Sequence, residues 1–190
     1  MRLHHPSPEP TMRDVVLTMQ VSLDGYVADP DGGLEWAFAN IDDEVTAFLA
    51  ERLAEMDTML MGRVNYLAQA AKWPTADGEI AAIVNQHRKI VFSSTLPAVE
   101  WQNSRLATGS PADEIAELKR QPGGVIGVAG GATFAQALLR DGLIDRVRLS
   151  VHPVALGKGV PLFAELRLLS LLDSRTFGTG VVVNTYAVPA

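Results

Sequence analysis

The sequence contains no cysteine. That excludes disulfides, a thiolate nucleophile and every cysteine-based zinc site, and it fits a reducing compartment, so a cytoplasmic location is expected. No uninterrupted apolar run approaches the roughly 18 residues that cross a bilayer, so no membrane partner is expected. Basic residues are outnumbered, with 16 Lys and Arg against 22 Asp and Glu and a formal net charge of -6. This balance argues against nucleic acid or an anionic membrane as partner, while leaving room for one local basic pocket that holds a phosphate. Internal repeats, linkers and low-complexity stretches are also missing after the first residues. Residues 1–12, MRLHHPSPEPTM, lack an apolar signal core and read as a flexible N-terminal extension. His4 and His5 fall in that stretch and read as solvated residues; no metal site is expected.

What remains is residues 13–190, and the whole chain has ordinary globular composition, with 47% hydrophobic and 20% charged residues. Its length suits one domain with a substantial core. Asp14 to Val21 (DVVLTMQV) reads as a buried first strand. SLDGYVADPDGG follows, a turn-rich loop with two Asp-Gly pairs and an Asp-Pro. Over residues 42–56, Val45, Phe48, Leu49, Leu53 and Met56 share one face at 100° per residue, which predicts a helix with Asp42 as its N-cap. Thr58 to Met61 is a short strand ending at Gly62-Arg63. A helix over Glu79 to Arg88 and the strand Lys89 to Ser93 come next. Ser110-Pro111 opens another helix, a cap followed by proline at the first helical position. Strand Val125 to Ala129 leads through Gly130-Gly131 into a helix over Ala132 to Arg140, stopped by Gly142. Strand Asp145 to His152 and two strands near 166–177 and 181–188 complete the chain, the last two forming a hairpin around Gly178-Thr179-Gly180. Strands alternating with helices predict an α/β fold with a mostly parallel central sheet and a C-terminal antiparallel hairpin.

In such sheets ligands bind at the carboxyl ends of the strands, and three strand-end loops are suited to phosphate. In VAGGATF, residues 128–134, two glycines precede a helix start. Backbone N–H groups and the helix dipole there favour an anion, and Thr133 adds a hydroxyl. This is not the G-x-G-x-x-G fingerprint, and a plain tight turn is the alternative. In MGRVNY, residues 61–66, Arg63 stands at the start of a helix expected near Val64, where it clamps a phosphate or is simply a surface arginine. In VFSSTL, residues 91–96, Ser93 and Ser94 offer hydroxyls to a ribose or its 2′-phosphate, or merely open a loop.

The order VSLDGYVA, MGRVNY, IVFSSTL, VAGGATFAQALL and HPVALGKGVPLF resembles the dihydrofolate-reductase superfamily. More closely it resembles the C-terminal reductase domain of the bifunctional riboflavin-biosynthesis deaminase-reductase and its stand-alone relatives, over about residues 13–188. The resemblance implies a dihydrofolate-reductase-like three-layer fold and an NADPH-dependent oxidoreductase, commonly a homodimer. It implies that Gly62, Arg63, Val64 and Asn65 take the phosphate side and that Ser93 and Ser94 meet the adenosine ribose. Gly130, Gly131, Ala132 and Thr133 would hold the pyrophosphate, and Ser22, Leu23, Asp24 and Gly25 would line the nicotinamide and substrate side. Four positions depart from the family's pattern. Ser94 replaces an arginine, which leaves NADH beside NADPH as a cofactor. Asn65 replaces a threonine. Tyr26 and Ala129 replace a lysine and a glutamate suited to a phosphoribosyl-pyrimidine.

Reduction also needs a proton. Dihydrofolate reductase itself is similar in carrying a carboxylate on its first helix one turn before an aromatic, and here Glu44 precedes Phe48 by one turn. A half-buried Glu44 would have a raised pKa and deliver a proton; a solvated glutamate is the alternative. Asp24 is the second catalytic candidate, with a turn-forming role as its alternative. Trp36 either walls the pocket or covers the core. Ser22, Leu23, Tyr26, Trp36 and Phe48 thus form the expected substrate side, while His152 reads as a satisfied strand histidine. Three functions stay open. The first is an NAD(P)H-dependent reductase of a small heterocyclic or carbonyl-like substrate. The second is 5-amino-6-(5-phosphoribosylamino)uracil reductase of riboflavin biosynthesis. The third is a nucleotide-binding module without turnover.

Overall fold

A computed structural model describes residues 12–189. The extension expected at residues 1–12, with His4 and His5, lies outside the described residues up to residue 11. Eight strands form one sheet. They are β1 (Val15–Ser22), β3 (Met56–Gly62), β4 (Arg88–Phe92), β5 (Ser104–Leu106), β6 (Val125–Ala129), β7 (Arg146–His152), β9 (Ser170–Thr176) and β10 (Val182–Ala187). Their order is β5-β4-β3-β6-β1-β7-β10-β9. The first six run parallel; β10 pairs antiparallel with both β7 and β9. This is the expected mostly parallel sheet with a C-terminal antiparallel hairpin.

Helices cover both faces. Side chains alternate along each strand, so Val15, Leu17, Met19 and Val21 of β1 turn to one face. There they meet Ile115 and Leu118 of α5 (Pro111–Arg120) and Ala135, Leu138 and Leu139 of α6 (Ala132–Arg140). On the other face Met59 and Met61 of β3 pack with Tyr66 of α3 (Arg63–Ala70) and Val84 of α4 (Glu79–Gln86). Val45 and Phe48 of α2 (Asp43–Ala54) meet Phe177, Val181 and Val183 on that same side. The two anticipated helix starts form as expected. Asp42 accepts from Val45 N–H at 2.9 Å, and Ser110 and Asp113 make a reciprocal capping box with Pro111 in the first turn. Such caps each stabilise a helix by about 1 kcal/mol.

Five short elements escape sequence reading. They are α1 (Glu35–Phe38), a 3-10 turn at Trp73–Thr75, the edge strand β5, and a small two-stranded sheet of β2 (Tyr26–Ala28) and β8 (Val160–Pro161). The β2–β8 pair binds the SLDG loop to the HPVALGKG loop. At the amino end of the strands, Arg13 ties three elements together, pairing with Asp57 and donating to Gly124 O at 2.7 Å. The polar bracing of that end leaves the carboxyl end for ligands.

Candidate functional site

β3 and β6 are neighbours, yet the helices that follow them, α3 and α6, cover opposite faces of the sheet. This is a topological switch point, the place where open α/β sheets bind ligands. The ends of five adjacent strands line up along this edge: Ser93-Ser94 after β4, Gly62-Arg63 after β3, Gly130-Gly131 after β6, Ser22 on β1 and His152 on β7. Four steps of about 4.8 Å span about 19 Å, room for an extended dinucleotide. The fold thus brings together the three loops that the sequence offered separately.

The middle of this edge is built for close approach. Gly130 and Gly131 both have φ of +77°, a left-handed conformation that L side chains rarely adopt. A Cβ at Gly130 would lie 2.9 Å from Asn65 Oδ1, and one at Gly62 would lie 3.2 Å from Phe134 Cβ. Asn65 explains the tightness. Its Nδ2 donates to the carbonyl of Ala129, and its Oδ1 accepts from Gln69 at 3.0 Å. It is a bracket between α3 and the end of β6. Phe134 stacks on Phe92 at 5.2 Å and closes the floor. Neither α3 nor α6 has a side-chain cap, in contrast to α2 and α5. Free N–H groups and the positive ends of two helix dipoles therefore face this edge.

The remaining loop residues differ in availability. Arg63, Val64 and Thr133 are exposed at the two helix starts, and Ala132 is half-buried. Ser94 is exposed, whereas Ser93 Oγ accepts from the N–H groups of Thr95 and Leu96 at 3.2 and 3.1 Å and so shapes its own loop.

Two carboxylates change role. Asp24 accepts from Ser22 Oγ at 2.7 Å, Leu156 N–H at 3.0 Å and Gly157 N–H at 2.7 Å. These donors, the serine first, lower its pKa to about 2. It therefore carries no proton to give at neutral pH, and it serves as a latch between two loops rather than as an acid. Glu44 is exposed and pairs with Arg175 at 3.2 Å, so the half-burial expected of it is not there. The reason is tertiary: the flank of α2 that carries Glu44 faces β9 rather than a closed pocket. Phe48 is buried against Phe177 at 5.3 Å and belongs to the core, not to an open substrate wall.

On the substrate side, Ser22 is buried and its Oγ accepts from Tyr26 N–H at 2.9 Å, while Leu23 is 70% exposed. Trp36, on α1, is half-buried and meets the ring of His152 edge-on at 5.6 Å. His152 is fully buried, and its Nε2 lies 2.7 Å from Gln20 Oε1. Burial pushes its pKa down, so it is neutral at pH 7. Gln20 and Phe134 carry no role in the sequence reading, and His152, expected as a satisfied strand histidine, has a partner at Nε2 but none at Nδ1. The alternation along β1 was the one signal for Gln20, which with Thr18 and Ser22 makes every second position polar.

Comparison with known proteins agrees with this geometry. The model of the RibD C-terminal domain matches residues 13–183. The uncharacterised protein YyaP of Bacillus subtilis (strain 168) is 32% identical over 182 residues, which is 92% of this chain and 94% of YyaP. The crystal structure of a putative riboflavin biosynthesis protein from Shewanella sp. PV-4 superposes with a TM-score of 0.70 at 27% identity, covering 93% of this chain and 99% of that one. Dihydrofolate reductase from Enterococcus faecalis, solved with NADP(H), shares the fold at a TM-score of 0.64 and 14% identity, covering 93% and 97% of the two chains. The chain belongs to the RibD C-terminal domain family, with the dihydrofolate-reductase-like fold.

Proposed function

We propose that the chain is an NADPH-dependent reductase of a small heterocyclic or carbonyl-like substrate. The observation that carries this reading is the pair of uncapped helix N-termini at the β3–β6 switch point, each reached through glycine. Gly62, Gly130, Gly131 and Ala132 let a pyrophosphate approach backbone N–H groups. Thr133 and Asn65 add polar groups beside it, and Arg63 supplies the cation, with Val64 next to it. Ser93 and Ser94 lie where an adenosine ribose would end. When bound, the nicotinamide supplies hydride. The residues of β1 and β7 orient the acceptor beside it, with the Asp24 latch holding the loops over that end.

Isothermal titration tests the reading. NADPH is expected to bind, and Arg63→Ala to weaken it about tenfold, as expected for one charge-assisted contact. Weaker binding of NADH, with a smaller effect of Arg63→Ala, is expected if Arg63 reads the 2′-phosphate. Absence of binding by either dinucleotide overturns the proposal. A second reading, 5-amino-6-(5-phosphoribosylamino)uracil reductase, is favoured by the family match, but Tyr26 and Ala129 stand where the family's charged residues suit that substrate. Growth of a strain lacking that reductase, restored by this chain, would favour it. The cytoplasm is the compartment proposed for either enzyme. Among the described residues no helix is long and apolar enough to cross a membrane.

We also propose a homodimer. β9 is an edge strand with every residue exposed, including Leu171 and Leu172, and an open apolar edge pairs readily with a second copy. Light scattering is expected to give twice the 20.4 kDa chain mass.

A further inference from the structure

One sheet face carries an unusual row of polar groups. β1 and β7 run parallel with Thr18 beside Arg148, Gln20 beside Ser150 and Ser22 beside His152. Neighbours in a parallel register point the same way, so all six side chains lie on one face. It is the face that α2 covers with Val45 and Phe48 against Val181 and Val183. Thr18 Oγ1, Arg148 Nη1, Ser150 Oγ and His152 Nδ1 are buried there without hydrogen-bond partners; among the described residues only five other side-chain atoms are in that state. An unpaired buried polar atom costs about 1–3 kcal/mol, and folded proteins keep few of them. Four on one face, running up to the carboxyl end of the sheet, call for a partner.

His152 carries the inference furthest. It is fully buried, and Ser150 is 1% exposed. Gln20 Oε1 accepts from Nε2–H at 2.7 Å, which leaves Nδ1 as a bare lone pair. The Trp36 ring closes over the imidazole edge-on at 5.6 Å. Trp36 is held by little: α1 is four residues long, and the indole N–H donates to Gly33 O, within the same loop, at 3.2 Å. Arg148 stands two residues before Ser150 and four before His152 on β7, about 7 and 13 Å back along the strand, and its Nη2 bonds Glu55 at 3.3 Å.

We propose that His152 Nδ1 and Ser150 Oγ form the floor of the substrate subsite, that Trp36 is its cover, and that the group bound there is small, planar and uncharged, with an N–H or O–H donor beside an acceptor. This rests on the reductase reading above. The imidazole lone pair accepts from the substrate's donor, and the Ser150 hydroxyl, able to donate or accept, pairs with the neighbouring group. A carboxylate or phosphate meets only these two neutral groups there.

Cytosine, neutral, and orotate, a pyrimidine of the same ring size but anionic, serve as probes. Each is titrated into the NADPH-saturated protein with 15N-labelled histidine and tryptophan. Cytosine is expected to bind and to move the His152 Nδ1 and Trp36 indole resonances, while orotate does not bind. His152→Leu and Ser150→Ala are each expected to weaken cytosine about tenfold and to leave NADPH affinity unchanged. Cytosine that moves neither resonance, equal affinity in His152→Leu, or tighter binding of orotate overturns the proposal. Failure to bind NADPH overturns the cofactor reading instead, and cytosine titrated into the free protein then decides the floor on its own.

Discussion

Asp24 Oδ2 accepts a 2.7 Å hydrogen bond from the N–H of Gly157, 133 residues further along the chain. With Oδ1 taking Leu156 N–H at 3.0 Å and Ser22 Oγ at 2.7 Å, one carboxylate fastens the β1–β2 loop to the β7–β8 loop. Its pKa, lowered to about 2, means that its contribution to stability is complete above the usual carboxylate range, about 3.9, and is lost as pH falls through about 2. Asp24→Ala is expected to raise hydrogen exchange at Leu156 and Gly157 by at least about tenfold, by freeing their N–H groups. The β-sheet amides should keep their protection. Because Asp24 stays ionised from pH 5 to 9 or so, no limb of a pH–rate profile in that range should depend on it.

Gly130→Ala puts a Cβ 2.9 Å from Asn65 Oδ1 at a φ of +77°. The strain should cost about 1–2 kcal/mol, a fall in Tm of about 3–6 °C. Adding Asn65→Ala removes the clash but not the left-handed backbone. The double variant should therefore recover part of the loss, a coupling that thermal denaturation of all four proteins measures.

Glu114 is a buried carboxylate that takes Arg105 through both oxygens, at 2.9 and 2.5 Å, and Thr108 N–H at 2.8 Å. Arg105 hydrogen bonding, ahead of the Thr108 contacts, lowers its pKa to about 2. Glu114→Gln should cost about 1–3 kcal/mol in urea unfolding at pH 7. The difference from wild type should hold above the ordinary glutamate range and shrink as pH falls toward about 2.

Lys89 has a fully buried ammonium that donates to the carbonyls of His87, Asn85 and Gln102 at 2.8, 3.1 and 3.1 Å and lies 4.2 Å from the Trp101 ring centre. Desolvation lowers its pKa to about 8, against about 10.4 when unfolded. Between those values the folded chain binds fewer protons than the unfolded one, so stability rises with pH. Wild type should therefore gain on Lys89→Met between pH 8 and 10, read from urea midpoints at each pH.

Much of the fold was legible because its signals are local. Asp42 and Ser110-Pro111 mark helix starts through hydrogen bonds made within three residues. VIGVA at 125–129 is apolar enough to be a central strand wherever it pairs. Gly130-Gly131 announces a turn that only glycine adopts cheaply. By contrast β5, and the β2–β8 pair, are two or three residues long and exist through partners distant in sequence. The site divides along the same line. The phosphate-side loops were readable one by one, but their alignment needed the strand order.

The sequence by itself determined where the chain turns, which segments are buried and which loops can meet a phosphate, since caps, glycines and side-chain periodicity act over a few residues. Tertiary structure alone decided what each side chain faces. The 100° spacing set Glu44 beside the apolar stripe of α2, but β9 brought Arg175 to it. Asp24 became a latch because Gly157 returned to it. His152 took its place beside Gln20 and Trp36 because β7 pairs with β1 in one register, and that register is fixed by contacts more than a hundred residues apart.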